Sequence, residues 1–145
     1  AMFSVFKGVH ENVVVEGEDV MRLVTLRSHD QYNTTIYAMD DRYRGVFGRR
    51  DVLFMNEQDM AAQGLEHGDR VDIHTALPDS ELTLEDITVV AYGIAPGTVG
   101  AYYPEANVLV PLNYLDEESG TPSYKSVPVR LTLRSKEIRP LADVR

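Results

Sequence analysis

Cysteine is absent from the 145 residues, which excludes disulfides, a thiolate nucleophile, an iron–sulfur cluster and any zinc site built on thiolates. Long apolar runs are missing as well. None approaches the ~18 residues of a membrane span, and no signal-peptide pattern opens the chain, so the expected location is cytoplasmic. Basic residues are outnumbered, with 14 Lys and Arg against 23 Asp and Glu, and the net charge of −9 has the wrong sign for a nucleic-acid binder. The rest is ordinary for a globular protein, with 43% hydrophobic and 26% charged residues. The length suits one domain and buries a core without covalent staples.

The charge is unevenly spread. Residues 22–50 carry six Arg and three Asp, and residues 120–145 carry six basic and two acidic side chains. Between them, residues 51–119 hold one basic side chain, Arg70, against fourteen acidic ones. Two basic segments that converge in the fold would cradle an anion; scattered, they are solvated surface charge. Composition leaves both readings open.

Residues 1–21 read as a leader or linker, and Ala1 ahead of Met2 gives the expectation of a tag remnant on a chain excised from a longer one. Met21 to Leu26 has the β-favouring, apolar content of a buried strand. It runs into Arg27-Ser28-His29-Asp30-Gln31-Tyr32-Asn33-Thr34-Thr35, a stretch rich in hydrogen-bonding side chains. That composition suits either a binding loop or a turn held by its own Asn, Asp and Ser. Val52 to Met55 is a second strand. Asn56 is placed as an N-cap, Met60 to Ala62 carry a brief helix, and Gly64 ends it with Leu65 packing back. Arg70 to His74, Leu82 to Tyr92 and Ser126 to Leu133 read as strands, with a glycine-rich connection at 93–100 and an apolar run at Val108 to Leu112. Six or so strands with one short helix predict a small, mainly β barrel.

Catalytic constellations are sparse. The histidines at 10, 29, 67 and 74 form no ligand pair of His-x-His or His-x-x-x-His type, so no metal site is expected. Gly45-Val46-Phe47-Gly48-Arg49-Arg50 reads as a solvated basic loop with phosphate binding as the lesser alternative. Asp40 and Asp41 are adjacent, so on regular structure they face different ways, which argues against a paired acid–base site. No serine lies in a nucleophile elbow. Catalytic residues are expected to be absent from this chain.

The segment from Asn56 to Val71, with its helix, Gly64-Leu65 and Gly68-Asp69, resembles the molybdopterin dinucleotide-binding domain that closes the large molybdenum oxidoreductases related to dimethyl sulfoxide reductase. Thr25-Leu26-Arg27 with the polar loop to Thr35 is similar to that family's first cofactor loop. Asn107, and Thr121-Pro122-Ser123-Tyr124-Lys125 after a polar loop, are similar to its second and third. The likeness covers roughly residues 22–134, and the domain is taken as 22–145. The stretch from Arg27 to Tyr37 with Asp41-Arg42-Tyr43-Arg44-Gly45 most resembles the formate dehydrogenase-like alpha subunits. The nitrate reductases and better-studied formate dehydrogenases carry a Trp in this loop, and this chain has none.

The resemblance implies a double-psi β-barrel and, as ligand, bis(molybdopterin guanine dinucleotide) with molybdenum. It assigns Arg27, Ser28, His29, Gln31, Thr34 and Thr35 to one part of the cofactor and Asn107, Tyr124 and Lys125 to another. It places the molybdenum ligand and the substrate-handling groups in other domains of a parent enzyme. Those domains are the expected partners, with neither nucleic acid nor membrane among them. The isolated chain is expected to be inactive and not to hold cofactor tightly, because half of the pocket is missing.

Two rival readings share the barrel. A decarboxylase-type barrel enzyme makes a pyruvoyl group at a Gly-Ser pair, and none occurs here. A barrel serving as a protein-interaction adaptor, like the N-terminal domains of some AAA ATPases, predicts a partner groove and indifference to changes at Arg27 and Lys125.

Overall fold

A strand whose every residue is apolar must be covered on both faces, and Val52-Leu53-Phe54-Met55 is such a strand. The computed structural model describes residues 17–116 and 119–136 and shows what covers it. Most of the expected leader, residues 1–16, lies outside the described residues. The described elements are β1 (Met21–Leu26), β2 (Val52–Met55), α1 (Glu57–Ala62), β3 (Arg70–Thr75), β4 (Thr83–Ala91), β5 (Thr98–Tyr102), a 3-10 turn (Glu105–Leu109) and β6 (Val127–Ser135).

The six strands close into a barrel in the order β1-β5-β2-β4-β3-β6. β1 runs parallel to β5, with Leu23 beside Val99 and Thr25 beside Ala101, and β2 runs parallel to β4, with Leu53 beside Val89. The remaining neighbours are antiparallel. Parallel pairs set into an otherwise antiparallel closed ring require crossovers, and the fold is the double-psi β-barrel that the resemblance implies.

Alternation decides the two faces. Each strand sends two buried side chains to one shared core: Met21 and Leu23, Leu53 and Met55, Val71 and Ile73, Ile87 and Val89, Val99 and Ala101, Val127 and Val129. The opposite face of β2 joins a second cluster, Val46, Val52, Phe54, Val90 and Tyr102. Val46 belongs to the long connection between β1 and β2, so that connection is the outer cover of β2. It is thereby pinned to the barrel rather than free in solvent.

The capping expectations hold. Asn56 accepts from the Gln58 amide at 2.9 Å, and Gly64 takes φ +67° as the helix ends. The Leu65 amide donates to Met60 O and the Gly64 amide to Ala61 O, the paired bonds of a Schellman stop. One strand differs from expectation. Thr98–Tyr102 is β5, overlapping the stretch read as a connection; it pairs with β1, and Gly100 lies so close to that strand that a Cβ there would be 2.7 Å from Leu26 Cδ1. The apolar run 108–112 is the end of the 3-10 turn and the segment after it, with Val108 and Leu112 exposed.

Candidate functional site

The end of β1 and the segment before β6 meet. The Thr25 amide donates to Tyr124 O at 3.2 Å, and the Tyr103 amide donates to Leu26 O at 2.7 Å. Between them lies a depression of about 430 Å³ lined by Thr25, Leu26, Arg27, Tyr103, Tyr124 and Lys125. Arg27 and Lys125 come from the two basic segments, so here those segments do converge.

Lys125 is exposed overall, yet its ammonium turns inward and donates to the Thr25 carbonyl. Burial of the amine, and then the Arg27 charge beside it, hold its pKa below the ordinary lysine value. The Tyr103 and Tyr124 rings lie 6.2 Å apart on the same wall. Arg27 has no side-chain hydrogen bond or ion pair to the other described residues. Two cations and two tyrosine side chains thus face one concavity, a donor set for an anionic ligand with a flat ring system.

The structure distributes the other sequence-predicted residues differently. Ser28 is 4% exposed, and its Oγ accepts from Arg50 Nη1 at 3.0 Å. Gln31 Oε1 accepts from the Ser28 amide and from Arg50 Nη2, each at 3.1 Å. Gln31 Nε2 donates to Tyr103 O at 2.8 Å and to Asn33 O at 3.3 Å. His29 donates from Nδ1 to Asp41 Oδ1 at 3.0 Å and stacks on Tyr43. Thr34 Oγ1 lies 3.3 Å from the Tyr103 hydroxyl, and Thr35 sits exposed in the turn closed by the Tyr32–Ile36 bridge. Asn107 lies on the 3-10 turn and lines a different depression, with Ser80, Leu82 and Leu112. Arg27, Tyr124 and Lys125 are therefore brought together, and Asn107 stands apart from them.

Sequence reasoning missed Tyr103, Arg50, Arg44 and Asp41. Asp41 is 2% exposed and accepts from Arg44 Nη1 at 2.5 Å and from the Tyr102 hydroxyl at 3.0 Å. Burial pushes its carboxyl up, but the hydrogen bonds from Arg44, Tyr102 and His29 outweigh burial, and its pKa falls below the usual carboxylate value. Burial and the Asp41 charge push the Tyr102 hydroxyl well above its ordinary range, so it stays a donor. Arg44 also donates to Arg27 O at 3.0 Å, which fixes the backbone from which Arg27 projects. The basic stretch 45–50 differs from the sequence expectation. Arg49 pairs with Asp51 and Thr88, and the Arg50 side chain is 3% exposed and pairs with Glu105, so this stretch is neither a solvated loop nor open for a phosphate. The only cue was the proximity of acids in sequence at Asp41 and Asp51.

Among the described residues no group of three or more His, Asp or Glu side chains is arranged to hold a metal ion. No helix among them is long and apolar enough to cross a membrane.

Comparison with known proteins bears on this arrangement. The family model described as "Molydopterin dinucleotide binding domain" matches residues 21–128. An uncharacterized oxidoreductase of Mycobacterium tuberculosis is 52% identical over 114 residues, covering 75% of this chain and 15% of that protein. Protein YdeP of Escherichia coli K12 is 42% identical over 134 residues, covering 90% of this chain and 18% of that protein. The chain thus spans less than a fifth of the length of these relatives. Among solved structures, acetylene hydratase from Pelobacter acetylenicus superposes with a TM-score of 0.56 at 14% identity, covering 79% of this chain and 18% of that one. That likeness is one of fold.

Proposed function

The chain belongs to the molybdopterin dinucleotide-binding domain family, and from that premise we propose that it forms one wall of the pocket for bis(molybdopterin guanine dinucleotide) in a larger molybdenum oxidoreductase. The segment ahead of Met21, which itself opens β1 in the barrel core, links it to the preceding domain, and the parent is a cytoplasmic enzyme of the formate dehydrogenase-like branch. The single observation that carries this reading is the depression where Arg27 and Lys125 converge beside Tyr103 and Tyr124.

The donor set fits the group. A pyrophosphate takes the point charge of a lysine and the fork of an arginine. A guanine offers a flat face to tyrosine rings. Arg27 and Lys125 would hold the phosphates, with Tyr103 and Tyr124 against the base. When bound, the cofactor supplies two-electron chemistry at molybdenum. This chain's own residues bind and orient it; the metal ligand and substrate groups lie in the rest of the parent.

The test is direct. The full-length parent is purified and assayed for molybdenum and for guanine-containing pterin released on denaturation, and formate-dependent dye reduction is measured beside it. The reading predicts about one molybdenum and two pterin nucleotides per chain. A parent lacking both overturns it, whereas a loaded parent inert to formate overturns only the branch assignment.

A further inference from the structure

Arg50 is the most heavily engaged side chain near the pocket. It is 3% exposed, and its guanidinium packs over Tyr37 at 4.0 Å and Tyr102 at 4.6 Å. Its Nε and Nη2 reach the two oxygens of Glu105 at 2.6 and 3.2 Å. Nη1 donates to Ser28 Oγ at 3.0 Å, and Nη2 to Tyr103 O at 2.8 Å and to Gln31 Oε1 at 3.1 Å. One buried cation therefore ties together the loop after Arg27, the backbone of Tyr103 and the start of the 3-10 turn. The first of these follows directly on Arg27 and the second is the backbone of Tyr103; Arg27 and Tyr103 both line the depression.

Gln31 is the telling partner. An amide side chain offers two acceptor positions and two donors. Its oxygen takes the Ser28 amide and Arg50; its nitrogen gives to Tyr103 O and Asn33 O. All four positions are filled within the protein, which leaves none for a ligand. Ser28 is likewise almost wholly buried, with Arg50 on its oxygen. Neither residue lines the depression.

On the reading of the pocket given above, we propose that Arg50 is the positioning residue of that pocket, and that Ser28 and Gln31 act through it rather than on the ligand. Arg50 sets the spacing between the strand end that carries Arg27 and the loop that carries Tyr103. The planar fork is what makes this possible, because a lysine reaches one or two of these acceptors but not all of them in one plane.

The experiment uses the apo form of the full-length parent, with guanosine diphosphate as the probe, titrated calorimetrically well below the melting temperature. Wild type is compared with Ser28→Ala, Arg50→Lys and the double variant, and each is also melted thermally. The clamp predicts that each single change weakens binding by about three- to tenfold, the scale of a lost hydrogen bond. The double variant is then no weaker than the weaker single one, since both changes break the same unit. Single effects that multiply in the double variant place Ser28 on the ligand and overturn the proposal. Unchanged binding by Arg50→Lys beside a lowered melting temperature makes Arg50 merely structural and also overturns it. A failed pocket reading is distinguishable, because wild type itself then does not bind the probe, and the clamp falls with it.

Discussion

A carboxylate as buried as Asp41 persists only where its charge is matched, and Arg44, Tyr102 and His29 match it. The adjacent Asp40 caps the Gly48 amide at 2.7 Å on the surface. The sequence-level expectation that the two acids face apart is met, but nothing in the string Asp40-Asp41 tells which one is buried. That is decided by Val46 and Tyr102 closing over one side, a tertiary event. Arg50 was illegible for the same reason: beside Arg49 and two glycines it has the look of solvated charge. Its acceptors come from residues 28, 31, 103 and 105, which no local pattern joins.

The depressed Asp41 pKa gives a pH dependence with a definite sign. The folded pKa lies below the unfolded value of about 3.9, so the stabilisation is complete above that pH and is lost as pH falls through the folded pKa. Asp41→Asn should cost about 3 kcal/mol near neutrality, as expected for breaking a buried ion pair. The gap to wild type should narrow below about pH 4. Urea denaturation at several pH values checks this; a gap constant from neutral to acid pH would count against the account.

At the scale of elements, the sequence spoke plainly where the signal is local. β1 and β2 match their predicted bounds, and the Asn56 cap and Gly64 stop are where the chain chemistry puts them. β5 was hidden because Gly100 interrupts its apolar character, and that glycine answers to Leu26 on the neighbouring strand. The apolar run 108–112 divides between core and solvent: Leu109 ends the 3-10 turn inside the core, while Val108 and Leu112 are exposed. Gly64 offers a clean test of the cap. Nothing lies within 4 Å of a Cβ built there, so Gly64→Ala meets only the cost of a left-handed backbone. The expected loss is about 1–2 kcal/mol of unfolding free energy. A neutral or stabilising result would show that the helix ends by other means.

At the scale of the molecule, the chain has few basic residues, and much of that supply is spent internally. Arg44, Arg49, Arg50 and Arg70 are all paired with acids. Arg27 and Lys125 are the cations that line the depression. The resemblance names both, along with Tyr124, three residues that the structure brings to one depression. It could not find Tyr103, which enters the site only through the β1–β5 pairing. On the proposed reading this pair of cations serves a dinucleotide pocket, whereas the adaptor reading predicts indifference to changes at either.

The sharpest measurement is therefore the pterin nucleotide content of the purified parent carrying Arg27→Ala or Lys125→Ala, beside wild type and a surface control such as Glu81→Gln. A cofactor wall predicts that each pocket variant retains severalfold less nucleotide per folded chain while the control matches wild type. Full occupancy in both pocket variants would contradict it.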